Sequence, residues 1–121
     1  MKLAISASGD CLDSDVDPRF GRCKYFIFAD PDTMDFIAVL NAANAGGAGI
    51  AAGQAVALHK AKAVLTGDCG PNAYQVLSAA GIEVYTGASG KVKDAIADYK
   101  AGKLKASGQA NVQPHHGQAA K

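Results

Sequence analysis

The spacing of the apolar runs constrains this chain's fold most. Three short runs fall before any helical pattern begins. Lys2 to Ala7 (KLAISA) reads as a buried strand. Tyr25 to Ala29 (YFIFA) is a second strand, aromatic and β-branched. Asp30-Pro31-Asp32 turns the chain into a third, Asp35 to Leu40 (DFIAVL). The last two lie close enough to form an antiparallel hairpin.

Beyond Leu40 the pattern changes to alternating helix and strand. A helix is expected over Ile50 to Ala61, with Ile50, Gln54, Ala57, Leu58 and Ala61 on one weakly amphipathic face. Ala63 to Leu65 is a short fourth strand. Pro71 suits the first position of a second helix, which runs to about Ala80 and stops at Gly81. Glu83 to Thr86 is the fifth strand. Ser89 is the expected cap of a last helix, whose Val92, Ala95, Ile96 and Tyr99 share one face and which Gly102 ends. The order β-β-β-α-β-α-β-α predicts an α/β fold with a mixed sheet and helices packed on it. Residues 1–104 form the expected domain, and 105–121 a flexible polar tail.

Composition excludes several classes of function. The formal net charge of +1 gives no general attraction for nucleic acid or membrane surfaces. No apolar run approaches the ~20 residues that span a bilayer. The start, MKLAISASGD, turns polar too soon for a signal peptide, so a cytoplasmic protein is expected. Cys11, Cys23 and Cys69 are odd in number and form no CxxC, which argues against a disulfide framework or a zinc ribbon.

In open α/β sheets, ligands bind beyond the carboxyl ends of the strands. Three loops should gather there: Ser8–Arg22, Asn41–Gly49 and Thr66–Pro71. The second opens NAANAGGAGIAAG (Asn41 to Gly53), an uncharged glycine-rich run leading into a helix. Glycines admit close backbone approach, and a helix N-terminus favours anions. The same run could instead be a tight turn before close helix–sheet packing. GAGIAAG is GxGxxxG, one residue off the dinucleotide fingerprint, with Asp68 where a ribose-binding acid could sit. The loop follows its strand too distantly for a true fingerprint.

The first loop carries DxDxDP (Asp13, Asp15, Asp17), which fails as a calcium loop at Pro18 and Lys24 and reads as a solvated acidic turn. Arg19 and Arg22 follow. Arginine forks suit a multi-oxygen or multi-sulfur anion, and the alternative is a salt bridge with the neighbouring aspartates. Phe20 should plug the core and aim Arg19 outward. Cys11 and Cys69 are soft metal ligands in two of the loops, and Cys23 reads as a small buried hydrophobe. His115 and His116 stand in the tail. A cysteine-held cluster would want four thiolates, more than this chain has. No carboxylate dyad, Ser-His-Asp set, HExxH or P-loop occurs, so no enzyme is expected.

VDPRFGR with the later GGAGI and TGDCGPNA, in a chain running from KLAISASGD to PHHGQ, resembles the dinitrogenase iron–molybdenum cofactor biosynthesis family. The resemblance implies a ribonuclease H-like fold: a five-stranded mixed sheet, order 3-2-1-4-5, with the second strand antiparallel. It implies storage, transfer or insertion of a metal–sulfur cluster without substrate turnover. Members tied to nitrogenase assembly tend to carry His where this chain has Arg19. The chain looks more like a branch from anaerobic sulfate reducers that holds a molybdenum–copper sulfide cluster non-covalently. An iron–molybdenum or iron–sulfur cluster is the alternative cargo. The candidate cluster-binding residues are then Arg19, Phe20, Gly21, Arg22, Asn44, Gly46, Gly47, Gly49, Gly67, Asp68 and Gly70. The candidate metal ligands are Cys11, Cys69, His115 and His116. A monomer is expected. Two other readings stay open: a nucleotide-binding module, and a regulatory module acting with a P-loop ATPase or a cluster-assembly protein.

Overall fold

A computed structural model describes residues 1–41, 48–104 and 106. Five strands form one open sheet of order β3-β2-β1-β4-β5. They are β1 (Leu3–Ala7), β2 (Tyr25–Ala29), β3 (Phe36–Leu40), β4 (Ala63–Leu65) and β5 (Glu83–Tyr85). β2 runs antiparallel to both of its neighbours, while β1, β4 and β5 are parallel. This is the mixed α/β arrangement that the resemblance implies. The sheet forms because β1, β2 and β4 bury almost every residue, as central strands covered on both faces do.

Three helices cover the sheet: α1 (Ala48–Leu58), α2 (Pro71–Ala79) and α3 (Val92–Lys100). The sheet's alternation divides the core. Ala4, Phe26, Phe28, Val64 and Val84 point to the α1/α2 side. Leu3, Ile5, Ile27, Ala63 and Leu65 point to the α3 side, against Val92, Ala95 and Ile96. The period read for α3 therefore marks its buried face.

Two expectations need correction. The face read for α1 is not the buried one. Ile50 is 43% exposed and Leu58 81%, and Ala52 and Val56 are buried instead. α1 is apolar nearly all round, so its period selects no face. Its contact with α2 is set by small residues: a Cβ on Gly53 would lie 3.0 Å from Val76 Cγ1, and one on Gly49 3.4 Å from the Ala73 nitrogen. Nor does Ser89 cap α3. The cap position is Lys91, with no side-chain bond. The first amides of α3 donate to the β1–β2 loop instead, Val92 N–H to Ser14 O at 2.9 Å and Lys93 N–H to Leu12 O at 3.0 Å. A tertiary contact thus satisfies the end that a capping side chain would otherwise serve.

The helix stops do follow the sequence. Gly81 (φ 77°) and Gly102 (φ 75°) occupy the left-handed region just past α2 and α3. After α2, Gly81 N–H bonds Ser78 O and Ile82 N–H bonds Leu77 O, the paired bonds that close a helix at glycine. Within the span read as a tail, Ala106 forms an antiparallel bridge to Tyr85 on β5. Among the described residues, no helix is long and apolar enough to cross a membrane.

Candidate anion-binding site

At the carboxyl ends of β1 and β4, two of the expected loops meet along their backbones. Arg19 and Asp68 form a parallel bridge. Asp68 N–H donates to Pro18 O at 2.6 Å, and Phe20 N–H to Asp68 O at 3.3 Å. The approach needs a glycine beside it: a Cβ on Gly67 would fall 2.7 Å from Pro18 Cα. Beneath the bridge, Ser6 Oγ and Thr66 Oγ1 lie 2.7 Å apart at the ends of β1 and β4, and Ser6 Oγ–H donates to Asp17 O at 2.7 Å. Both side chains are fully buried.

Phe20 anchors the arginine segment. It is 1% exposed, and its ring centre lies 5.1 Å from that of Phe26. The short 3-10 turn Phe20–Arg22 follows. Asn41, buried at the end of β3, holds this turn from the other side: its Nδ2 donates to Gly21 O at 3.3 Å and Cys23 O at 2.9 Å. With Phe20 facing inward, Arg19 faces out, its side chain 65% exposed. Its Nε lies 3.6 Å from Asp17 Oδ1, which also accepts the Arg19 N–H at 2.9 Å. The salt bridge with a neighbouring aspartate is therefore present, and it orients the guanidinium.

These pieces frame a cleft of about 470 Å³. The cleft is lined by Arg19, Phe20, Gly21 and Arg22 of the arginine segment, by Asp68, Gly70, Pro71, Asn72 and Ala73 at the start of α2, and by Gly49 of α1. The N-terminus of α2 opens into it. Gly70 is the cap residue and makes no side-chain cap bond, and Pro71 follows at the first helical position. A Cβ on Gly70 would meet nothing within 4 Å, so its surface is open. Two guanidinium groups and a helix N-terminus are the anion-suited groups of the cleft, set against the carboxylates of Asp68 and of Asp17, the latter paired with Arg19.

The other candidates fall elsewhere. Cys69 is fully buried in the core and does not line the cleft. Burial pushes its thiol up to about 11, the opposite of a ligating thiolate. Cys11 is exposed on the β1–β2 loop, its Sγ 3.4 Å from Ser14 Oγ. Cys23 is the buried hydrophobe expected; its thiol is pushed up to about 12 by burial and by the charge of Asp17. Among the described residues, no group of three or more His, Cys, Asp or Glu side chains could hold a metal ion. Asn44, Gly46, Gly47, His115 and His116 lie outside the described residues. Gly49 and Gly53, which suggested a dinucleotide loop, stand inside α1 as helix-packing positions. The acidic turn is neutralised locally, with Asp13 2.8 Å from Lys93 Nζ and its carboxyl held below the usual range by that contact.

Asn41, Ser6 and Thr66 were missed as supports of the site. Asn41 carries a legible signal, a polar residue closing an apolar strand. Ser6 and Thr66 carry none, because their pairing depends on strand order. A second cavity of about 500 Å³ opens at the opposite pole, between Lys2, Asp30, Asp35, Lys60 and Lys62. It lies at the amino ends of β1 and β4, the end of an α/β sheet that ligands seldom use.

The chain thus carries an arginine-flanked cleft over a helix N-terminus at the carboxyl edge of an open mixed sheet. The family model described as dinitrogenase iron-molybdenum cofactor matches residues 1–102, and the chain belongs to that family. Among solved structures, it is similar to the apo form of the orange protein from Desulfovibrio gigas, at 39% identity and a TM-score of 0.88, covering 92% of this chain and 96% of that one. It is also similar to a protein from Thermotoga named as NifB, at 33% identity and a TM-score of 0.76, covering 87% and 91%. A protein from Methanocaldococcus jannaschii named as a dinitrogenase shares the fold at 21% identity and a TM-score of 0.68, covering 90% and 96%. No curated protein matches the chain.

Proposed function

We propose that this protein binds and carries an anionic metal–sulfur cluster in the Arg19–Asp68 cleft, and that the cluster is a molybdenum–copper sulfide. The observation that carries the reading is a cleft with two arginines and a helix N-terminus, framed by backbone, beside a core that keeps Cys69 buried and protonated. A sulfide-rich polyanion needs no protein thiolates when the surrounding groups donate hydrogen bonds and charge. Arg19 and Arg22 face the sulfides, the amides at the start of α2 donate to them, and Gly70 leaves room for a bulky guest.

The role is retention and delivery, without turnover. Cysteines outside any disulfide fit a reducing cytoplasm, and an anaerobic cell would preserve such a cluster. A cluster-assembly protein or a P-loop ATPase would be the partner in delivery. The test is reconstitution of the apo protein with tetrathiomolybdate and copper under anaerobic conditions. A coloured protein whose charge-transfer bands survive desalting, with molybdenum and copper in fixed ratio, supports the reading. Complete loss of colour on desalting overturns it. Bands retained only with iron present would redirect the cargo to an iron–molybdenum or iron–sulfur cluster.

A further inference from the structure

The two edges of the sheet are finished differently. At β5, Ala106 bridges Tyr85 on the outer side of that strand. β3 forms the other edge and, among the described residues, has β2 as its only neighbour in the sheet. Its sequence, FIAVL, contains no charge and no proline. Edge strands ordinarily carry such residues to block pairing with other chains. β3 also exposes apolar surface on both faces: Ile37 is 52% exposed, Phe36 39% and Leu40 59%. The cause is geometric. Among the described residues α3 is the one helix on the second face, and a helix about 10 Å wide spans roughly two strands at ~4.8 Å spacing.

The register shows which backbone groups face outward. Asn41 N–H donates to Lys24 O, and Asp30 N–H donates to Asp35 O. With Phe26 opposite Val39 and Phe28 opposite Ile37, the residues bonded to β2 are Asp35, Ile37, Val39 and Asn41. Phe36, Ala38 and Leu40 therefore present their N–H and C=O groups to the open side. These three positions are symmetric about Ala38.

We propose that β3 pairs antiparallel with β3 of a second copy of this chain, about a two-fold axis at Ala38, forming one continuous sheet across the dimer. In this register Ala38 bonds Ala38 of the partner, and Phe36 bonds Leu40 in both directions. On the face shared with α3, each Phe36 side chain covers an exposed Leu40. On the other face, Ile37 meets Val39. The charges also fit. Asp35 comes opposite Asn41, whereas parallel pairing would set Asp35 beside Asp35. A five-residue strand buries less than a standard interface, so the dimer is weak, with a Kd below ~1 mM but above nanomolar. The proposal stands against the monomer expected from the sequence, and the oligomeric state decides between them.

The experiment is amide hydrogen exchange on the full chain from ~10 μM to ~1 mM, with sedimentation equilibrium alongside. The expected result is that Phe36, Ala38 and Leu40 gain protection as concentration rises, while Ile37 and Val39 stay protected throughout. Leu40→Lys adds an edge charge at a side chain already exposed, and should weaken association at least tenfold. Ala38→Pro removes an outward N–H, as edge strands tolerate, and should do the same. A chain that stays monomeric at 1 mM overturns the proposal. So does Phe36, Ala38 and Leu40 protection independent of concentration, which would mean that the chain covers its own edge. Dimerisation unaffected by Leu40→Lys overturns it too, placing the interface elsewhere.

Discussion

Asp68 and Arg19 are joined through their backbones across two loops, with Asp68 N–H on Pro18 O at 2.6 Å and Phe20 N–H on Asp68 O at 3.3 Å. This stitch sets the width of the cleft, and Gly67 makes it possible. Gly67→Ala would place a methyl 2.7 Å from Pro18 Cα and 3.0 Å from Pro18 O. Backbone must move to admit it, at a cost of about 1–3 kcal/mol. Urea denaturation should show that loss, and cluster retention should fall although no charge has changed. Unaltered stability and retention would mean that the two loops part freely.

Arg19 supplies charge and Asp17 orients it. Arg19→Gln keeps a donor but removes the cation, and should speed cluster loss during desalting about tenfold. That is the low end for a charge-assisted bond, because the side chain is 65% exposed. Arg19→Glu should lose the cluster faster still. Raising the salt concentration should weaken wild-type retention and leave Arg19→Gln less affected. Equal loss rates in all three proteins would remove Arg19 from the site.

Much of this architecture is legible in the sequence, and the gaps have physical reasons. Strands β2 and β4 match their apolar runs residue for residue, and Gly81 and Gly102 stop helices where glycine is expected. The outward aim of Arg19 follows from the bulk of Phe20 next to it. What was illegible depends on contacts between distant segments. Nothing in the α1 sequence says that Ala52 and Val56 face inward, because Ile50 and Leu58 are larger. The start of α3 is capped by carbonyls of residues about eighty positions earlier, where local rules pointed to Ser89. Cys69 read as a soft ligand because it stands in one of the converging loops; its neighbours Asp68 and Gly70 line the cleft, but its own side chain is buried in the core.

The buried thiols predict a pH dependence. Cys69 rises from an ordinary 9.0 to about 11 through burial. Cys23 rises to about 12 through burial and the nearby Asp17 charge. From pH 9 up to those values the folded chain holds thiol protons that the unfolded chain has released. Stability is therefore intact below pH 9 and falls as pH rises towards 11 to 12. Urea midpoints at pH 7, 9 and 10.5 should be flat and then decline. Cys69→Ala should reduce the slope of the decline. At pH 8, iodoacetamide should modify exposed Cys11 well before either buried thiol. A midpoint constant through pH 10.5, or equal alkylation of all three cysteines, would show that water reaches the buried pair.

Asn41 ties the end of β3 to the arginine segment, and its loss should be felt at both places. Its Nδ2 donates to Gly21 O and to Cys23 O, and the side chain is buried. Asn41→Ala leaves those carbonyls without their partner, which costs about 1–3 kcal/mol. Asn41→Asp is harsher in a different way, because a carboxylate accepts and cannot donate to a carbonyl. Chemical denaturation should rank the proteins wild type, Asn41→Ala, Asn41→Asp in falling stability at pH 7. Both variants free the turn at Gly21 and Arg22, so cluster retention should drop even under conditions where the fold is intact. Near-ultraviolet circular dichroism at 10 °C would confirm that the core is unchanged when retention is measured. If retention survives in folded Asn41→Ala, the position of Arg22 is set by Phe20 alone.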